Sequence, residues 1–149
     1  QDIGADDSHT ATLIALKGYR SIIYDSIRCI EAIPKEGYFW WRVRRAQHLI
    51  QHFTKILRLG SKTPREFRTT LRTETFLHLF NPWILLAATI LLATLATQGS
   101  ISATALLSIG IVTLVIRIYR MWIHHQLVLI IASIRNLWTK ELVWRKEQK

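Results

Sequence analysis

Residues 75–116 contain no Asp, Glu, Lys or Arg, and Glu74 and Arg117 close the stretch at its two ends. Inside it lie two apolar segments, 80–96 and 101–116, separated by Thr97-Gln98-Gly99-Ser100. Each is close to the ~20 residues that cross a hydrocarbon core ~30 Å thick. Lipid offers backbone N–H and C=O groups no partner, so each segment is expected to be a helix and the pair a helical hairpin. The polar tetrapeptide, with its glycine, reads as a tight turn. Asn81-Pro82 suits the start of the first helix, because proline lacks an N–H that the first turn leaves unused. Small residues (Ala87, Ala88, Ala93 and Ala96; Ser102, Ala103, Ala105, Ser108 and Gly110) would let the two backbones approach closely. The competing expectation is a buried hairpin inside a helical bundle. A chain of 149 residues has little left to surround two helices that are apolar all round. The sequence therefore predicts a transmembrane hairpin over 79–119.

Charge sets an orientation for such a hairpin. Lys and Arg outnumber Asp and Glu by 20 to 10; thirteen of the basic residues precede residue 75, seven follow residue 116, and none lies in the turn. Positive flanks stay inside, which predicts an integral membrane protein with both termini cytoplasmic. The same flanks suit anionic headgroups, making membrane lipids an expected partner. Nucleic acid is the other natural partner for a basic chain, but no binding motif accompanies the charge and none is expected. The single cysteine, Cys29, excludes an internal disulfide and reads as a buried apolar residue on the reduced side. The first residues carry neither a basic region nor an apolar run, so no signal peptide is expected, and with no initiator Met the chain reads as cut from something longer.

Ahead of the hairpin the chain changes character twice. Residues 1–38 read as a short α/β piece. Asp6-Asp7-Ser8 would cap a helix over 10–17 that Gly18 closes, and β-branched runs at 19–24 and 27–33 read as two strands. Over 39–57 the apolar period becomes helical, with Phe39, Val43, Ala46, Ile50, Phe53 and Leu57 in one stripe. Arg44, Arg45, Gln47, His48, Gln51, His52, Lys55 and Arg58 take the far side, the pattern of a basic amphipathic helix lying in a membrane interface. Trp40 and Trp41 interrupt that polar side. They read either as an interfacial aromatic belt or as an aromatic surface beside guanidinium groups, suited to stacking on a sugar and pairing a diphosphate. His48 and His52, four residues apart, have the spacing of two metal ligands but no third nearby, and read as solvated histidines. Residues 65–78 read as a polar helix. Residues 127–134 are too short to cross again and read as interfacial or packed on the hairpin.

The first 45 residues also carry a recognisable order: Ile3-Gly4-Ala5-Asp6-Asp7-Ser8-His9, Lys17-Gly18-Tyr19-Arg20, Glu31-Ala32-Ile33-Pro34, then Trp41-Arg42-Val43-Arg44-Arg45. This resembles the C-terminal third of membrane-bound family 2 glycosyltransferases, the group of cellulose, chitin and hyaluronan synthases. In that group an acidic pair opens a helix, Gly-Tyr-Arg follows about ten residues on, a Glu-x-x-Pro strand end comes next, and Gln-x-x-Arg-Trp lies on an interfacial helix before the last membrane helices. The tail at 138–149, with Trp144-Arg145-Lys146, is similar to the group's basic-aromatic end. Order and spacing carry the resemblance, since each motif alone is short.

The resemblance implies that Asp7 is the catalytic base and Asp6 the acid before it, a carboxylate being the group needed to deprotonate an acceptor hydroxyl. Read locally, the same pair are helix caps. Arg44 falls on the arginine that contacts donor diphosphate, with Arg45, Trp41, Trp40 and Arg42 as further donor- or acceptor-binding candidates. Trp41 stands at the glutamine position and Arg45 at the tryptophan position, which implies single sugar addition rather than processive synthesis. The resemblance also implies a nucleotide-sugar donor, a lipid-linked or glycan acceptor, and a divalent metal (Mg²⁺ or Mn²⁺). The metal-holding Asp-x-Asp is absent from this sequence, so the metal ligands are expected outside it, in an N-terminal half in cis or in a second chain. The expected fold is thus mostly α. It has a GT-A-like α/β remnant at 1–38, interfacial helices at 39–78, a transmembrane hairpin at 79–119 and a basic-aromatic tail at 120–149. A small non-catalytic integral membrane subunit or scaffold with lipid-binding flanks is the rival reading.

Overall fold

Gly37, at φ +69°, turns the chain into a long helix, and its carbonyl accepts the first bond of that helix, from Trp41 N–H at 3.0 Å. The computed structural model of the chain describes residues 6–20, 22, 26, 33–34, 36–59 and 64–139, of which 6–8, 58, 59 and 66 by backbone alone. The helices are α1 (Asp6–Leu16), α2 (Tyr38–Leu59), α3 (Arg65–Leu79), α4 (Asn81–Thr97), α5 (Ile101–Thr113) and α6 (Arg117–Arg135). Among the described residues there is no strand, so the expected GT-A-like α/β remnant is corrected to an all-helical arrangement. Tyr19, Arg20, Ile22 and Ile33 are irregular, and the rest of the two expected strands, 19–24 and 27–33, lies outside the described residues.

Helix α2 is the element on which α3 and α6 pack. Its apolar stripe is buried at Val43, Ala46, Ile50 and Phe53, while the ends of the stripe, Phe39 and Leu57, stay exposed. Val43, Ala46 and Ile50 meet Val128, Leu129 and Ala132 of α6 in one cluster. One turn further on, Phe53 and Ile56 meet Leu71 of α3, and Leu79 packs against both clusters. The polar side of α2 is buried too: Gln47, His48 and His52 are 0%, 5% and 3% exposed. The two histidines are therefore buried, not solvated as the sequence suggests. With α3 and α6 both packed on α2, and α1 reaching it at His52, the buried arc is wider than the apolar stripe that announces it. Two side-chain amides of α2 donate to residues just past α6. Gln47 Nε2 donates to the Thr139 carbonyl at 3.0 Å and Gln51 Nε2 to Asn136 Oδ1 at 2.8 Å.

Helices α3 and α4 meet at a 45° bend around Phe80. Pro82 sits in the first turn of α4 and is buried, and Asn81 Nδ2 donates to Gln126 Oε1 of α6 at 3.1 Å. Helices α4 and α5 pack as a pair around a turn in which Gly99 takes φ +86° and Ser100 Oγ accepts from Ala103 N–H. Ala103 is buried in that pair, whereas a Cβ added at Gly110 would meet nothing within 4 Å, so Gly110 is not a point of close approach.

This pair does not have the dimensions of a transmembrane hairpin. Its helices have 17 and 13 residues, about 25 and 20 Å at 1.5 Å per residue, against a hydrocarbon core of ~30 Å. No single helix among the described residues is long and apolar enough to cross a membrane. The expectation of an integral membrane protein with both termini cytoplasmic falls with that. The apolar run extends beyond the helix at both ends: Phe80 caps α4, α5 stops at Thr113, and the chain then bends by 105° into α6. The 127–134 run lies in α6, which buries Val128, Leu129 and Ala132 against α2 and also packs on α4 of the hairpin.

Candidate substrate-binding site

The expected acidic pair stands at the very start of α1. The helix opens at Asp6, so Asp6, Asp7 and Ser8 form its first turn rather than a cap ahead of residue 10. The start of a helix is the positive end of its dipole. The other end closes as glycine permits: Gly18 takes φ +83°, Gly18 N–H donates to Ala15 O and Tyr19 N–H to Ile14 O. On its inner side α1 meets α2 at His52. Thr12 Oγ1 lies 3.4 Å from His52 Nε2, and the His9 ring stands edge-on to His52 with centroids 5.6 Å apart.

The cationic-aromatic turns of α2 form the second part of the site. At 100° per residue Tyr38, Trp41, Arg42 and Arg45 fall within an arc of about 100°, and Trp40 and Arg44 lie outside it, about 40° from each other. Contacts follow that division. Tyr38 and Trp41 stack at 5.5 Å, the Arg45 guanidinium lies over Trp41 at 4.8 Å, and that of Arg42 over Tyr38 at 5.9 Å. Trp40, 55% exposed, instead carries the Arg135 guanidinium of α6 at 5.2 Å and meets Phe39 edge-on. Arg42 Nη1 donates to His124 Nδ1 of α6 at 3.0 Å; an arginine only donates, so that histidine nitrogen bears its lone pair. Arginine over tryptophan presents a flat, cationic, amphipathic surface, chemistry fit to stack on a base or sugar ring and to pair phosphate oxygens.

The five residues expected to bind donor or acceptor thus divide between two faces of α2. Tyr38, His124 and Arg135 complete those faces and were not anticipated. Tyr38 stands four residues before Arg42 and could have been found from that spacing. Arg135 lies 95 residues from Trp40 along the chain and has no local signal. His52 is seven residues from Arg45 on the same helix, about 10 Å of rise, so α2 carries both the docking point of α1 and the cationic-aromatic face.

Burial governs the histidines around this region. Desolvation, with His9 adding to it, lowers the pKa of His52 to about 4. His125 is lowered by burial first and then by His78, Arg42 and His124. Both are neutral at pH 7. Among the described residues no group of three His, Cys, Asp or Glu could hold a metal ion.

The fold matches a solved structure, the mannosyltransferase PcManGT from Pyrobaculum calidifontis in complex with GDP-Man and Mn²⁺, with a TM-score of 0.83 and 51% sequence identity over 94% of this chain. The chain spans 40% of the length of that protein. No family model matches the sequence, and no curated protein does. The match corrects the expected kinship. At 51% identity the likeness is to a mannosyltransferase, in place of the membrane-bound cellulose, chitin and hyaluronan synthase group.

Proposed function

We propose that this chain is part of a glycosyltransferase that moves a sugar from a nucleoside diphosphate donor to an acceptor hydroxyl, with GDP-mannose as the donor. The observation that carries the reading is the 51% identity, over 94% of the chain, to a mannosyltransferase solved with GDP-Man and Mn²⁺. In this reading Asp7 is the general base and Asp6 supports it. The helix dipole at the start of α1 keeps the base ionised, and it takes the proton of the attacking hydroxyl. Arg44, Arg45 and Arg42 meet the donor diphosphate or the acceptor, and Trp41 and Trp40 stack on their rings. The described residues supply no metal-ligand set, so Mn²⁺ or Mg²⁺ and most donor contacts belong to a further part of the enzyme, N-terminal in the same polypeptide or on a second chain.

A lipid-linked acceptor completes the proposal. It is supported by the exposed apolar side chains of α4 and α5, among them Ile84, Ile90, Leu91, Leu106, Ile109 and Val112. The hydroxyls between them are turned back onto their own helices: Thr89 to Leu85 O, Thr94 to Leu91 O, Thr104 to Ser100 O, Ser108 to Thr104 O and Thr113 to Gly110 O. A surface that satisfies its own polar groups is suited to acyl chains, in contact and without crossing.

The test is transfer of mannose from GDP-mannose by the full-length protein with Mn²⁺. Asp7→Asn should lower kcat at least ~10²-fold, the usual contribution of a positioned base, while donor KM stays within a few-fold. Wild-type protein that transfers from no nucleotide-sugar would end the enzyme reading, and an active Asp7→Asn would end the assignment of the base.

A further inference from the structure

His52, a buried titratable group, joins the acidic helix α1 to α2. It is 3% exposed, and its two described partners across the interface, Thr12 and His9, both belong to α1. Thr12 is itself buried, and His52 Nδ1 has no hydrogen-bond partner. Phe53, next on α2, meets the His52 ring edge-on at 5.0 Å and stacks on His78 of α3 at 4.9 Å, so the imidazole cannot swing freely. His9 lies two residues from Asp7, about 3 Å of helix rise, and Thr12 five residues, about 7.5 Å. A tilt of α1 about this contact therefore moves the first turn directly.

We propose that His52 is a positioning residue: through Thr12 and His9 it seats α1 on α2 and so fixes where Asp6 and Asp7 stand relative to the cationic-aromatic turns of the same helix. The proposal rests on the reading of Asp7 as the base. A neutral imidazole suits the place, since one nitrogen meets the Thr12 hydroxyl, the ring takes the edge of His9, and no charge is left unpaired in the interior. His48 and Lys55 flank His52 along α2, and His9 is the titratable group that faces it from α1. Shifting a reacting group by about 1 Å can cost ~10²-fold in rate, so a loosened seat should be read in kcat and not in donor binding.

The experiment uses the full-length protein and two readouts, mannose transfer from GDP-mannose and amide hydrogen exchange. His52→Ala is expected to lower kcat by ~10- to 100-fold with donor KM within a few-fold, and to speed exchange across α1 while the α2–α6 seam stays protected. His52→Gln keeps a group for the Thr12 hydroxyl and should recover most of kcat. Thr12→Val should act in the same direction as His52→Ala. If His52→Ala fails to fold, Thr12→Val decides by the same two readouts. Unchanged kcat together with unchanged α1 exchange overturns the proposal and leaves the proposed enzyme intact. Wild-type protein that transfers nothing, with α1 still loosened by His52→Ala, ends the enzyme reading and keeps the seat.

Discussion

At the scale of single residues, burial of histidine has a consequence for stability that can be given a sign. An exposed histidine titrates near 6.5, and in the folded chain His52 is lowered to about 4. The unfolded chain therefore binds the proton more tightly than the folded one between those values. Stability is complete above about pH 6.5, falls as the pH drops towards 4, and levels off below. A shift of this size corresponds to about 3 kcal/mol across the window, and His125, lowered as well, acts with the same sign. Urea unfolding followed by circular dichroism at pH 7 and pH 4.5 should show the loss in the wild type. His52→Gln should reduce the pH 7 to 4.5 difference by about half or more, since glutamine does not titrate; an unchanged difference would show that other groups carry the acid lability. None of this was legible in the sequence. His48 and His52 stand on the polar side of a helix whose apolar stripe faces the other way, and a stripe reports the most apolar partner, not how many partners there are.

At the scale of elements, the helices themselves were written locally and their surroundings were not. Val43, Ala46, Ile50 and Phe53 announce α2, and the first three pack on α6 and the fourth on α3, in clusters that period alone could not have chosen. Gly18, Gly37 and Gly99 mark turns because each takes a positive φ that other residues adopt only under strain. The two strands expected over 19–24 and 27–33 rested on β-branched composition, which reflects packing on neighbours the sequence does not name; they lie mostly outside the described residues, and Tyr19, Arg20, Ile22 and Ile33 are irregular. The arrangement makes Leu129 the keystone of the α2–α6 seam, fully buried among Val43, Ala46 and Ile50. Leu129→Ala should lower unfolding free energy by about 2–5 kcal/mol, the cost of lost burial plus the cavity left behind. Leu137→Ala, at a residue 77% exposed just past α6, should stay within about 0.5 kcal/mol. Chemical denaturation of the two variants checks the pair; equal losses would mean that α6 does not hold α2 through this seam.

At the scale of the whole molecule, two features of the surface act together: a net charge of +10 and the apolar faces of α4 and α5. The absence of charge over 75–116 pointed to an apolar environment, but it could not give helix lengths, and with the bends at Phe80 and before Arg117 no single described helix is long and apolar enough to cross a membrane. What remains is a pair of helices with self-satisfied hydroxyls, and exposed arginines on the flanking helices, at 65 and 72 of α3 and 117 and 120 of α6. Charge and apolar contact respond differently to salt, which separates them. At 0.5 M salt the Debye length is about 4 Å, so attraction of the arginines to anionic headgroups is largely screened, whereas burial of leucine and isoleucine among acyl chains is not weakened. In flotation with vesicles of phosphatidylcholine and phosphatidylglycerol, the wild type should bind at low salt and keep a substantial part of that binding at 0.5 M. The double variant Leu91→Asp/Ile109→Asp changes two side chains that are 58% and 60% exposed, so helix content by circular dichroism should be preserved. It should lose the salt-resistant part of the binding and keep the part that salt removes. If wild-type binding vanishes at 0.5 M and the double variant behaves like the wild type at every salt, charge alone draws the protein to the vesicles. The apolar faces of α4 and α5 would then belong against protein, and the lipid-linked acceptor would lose its support.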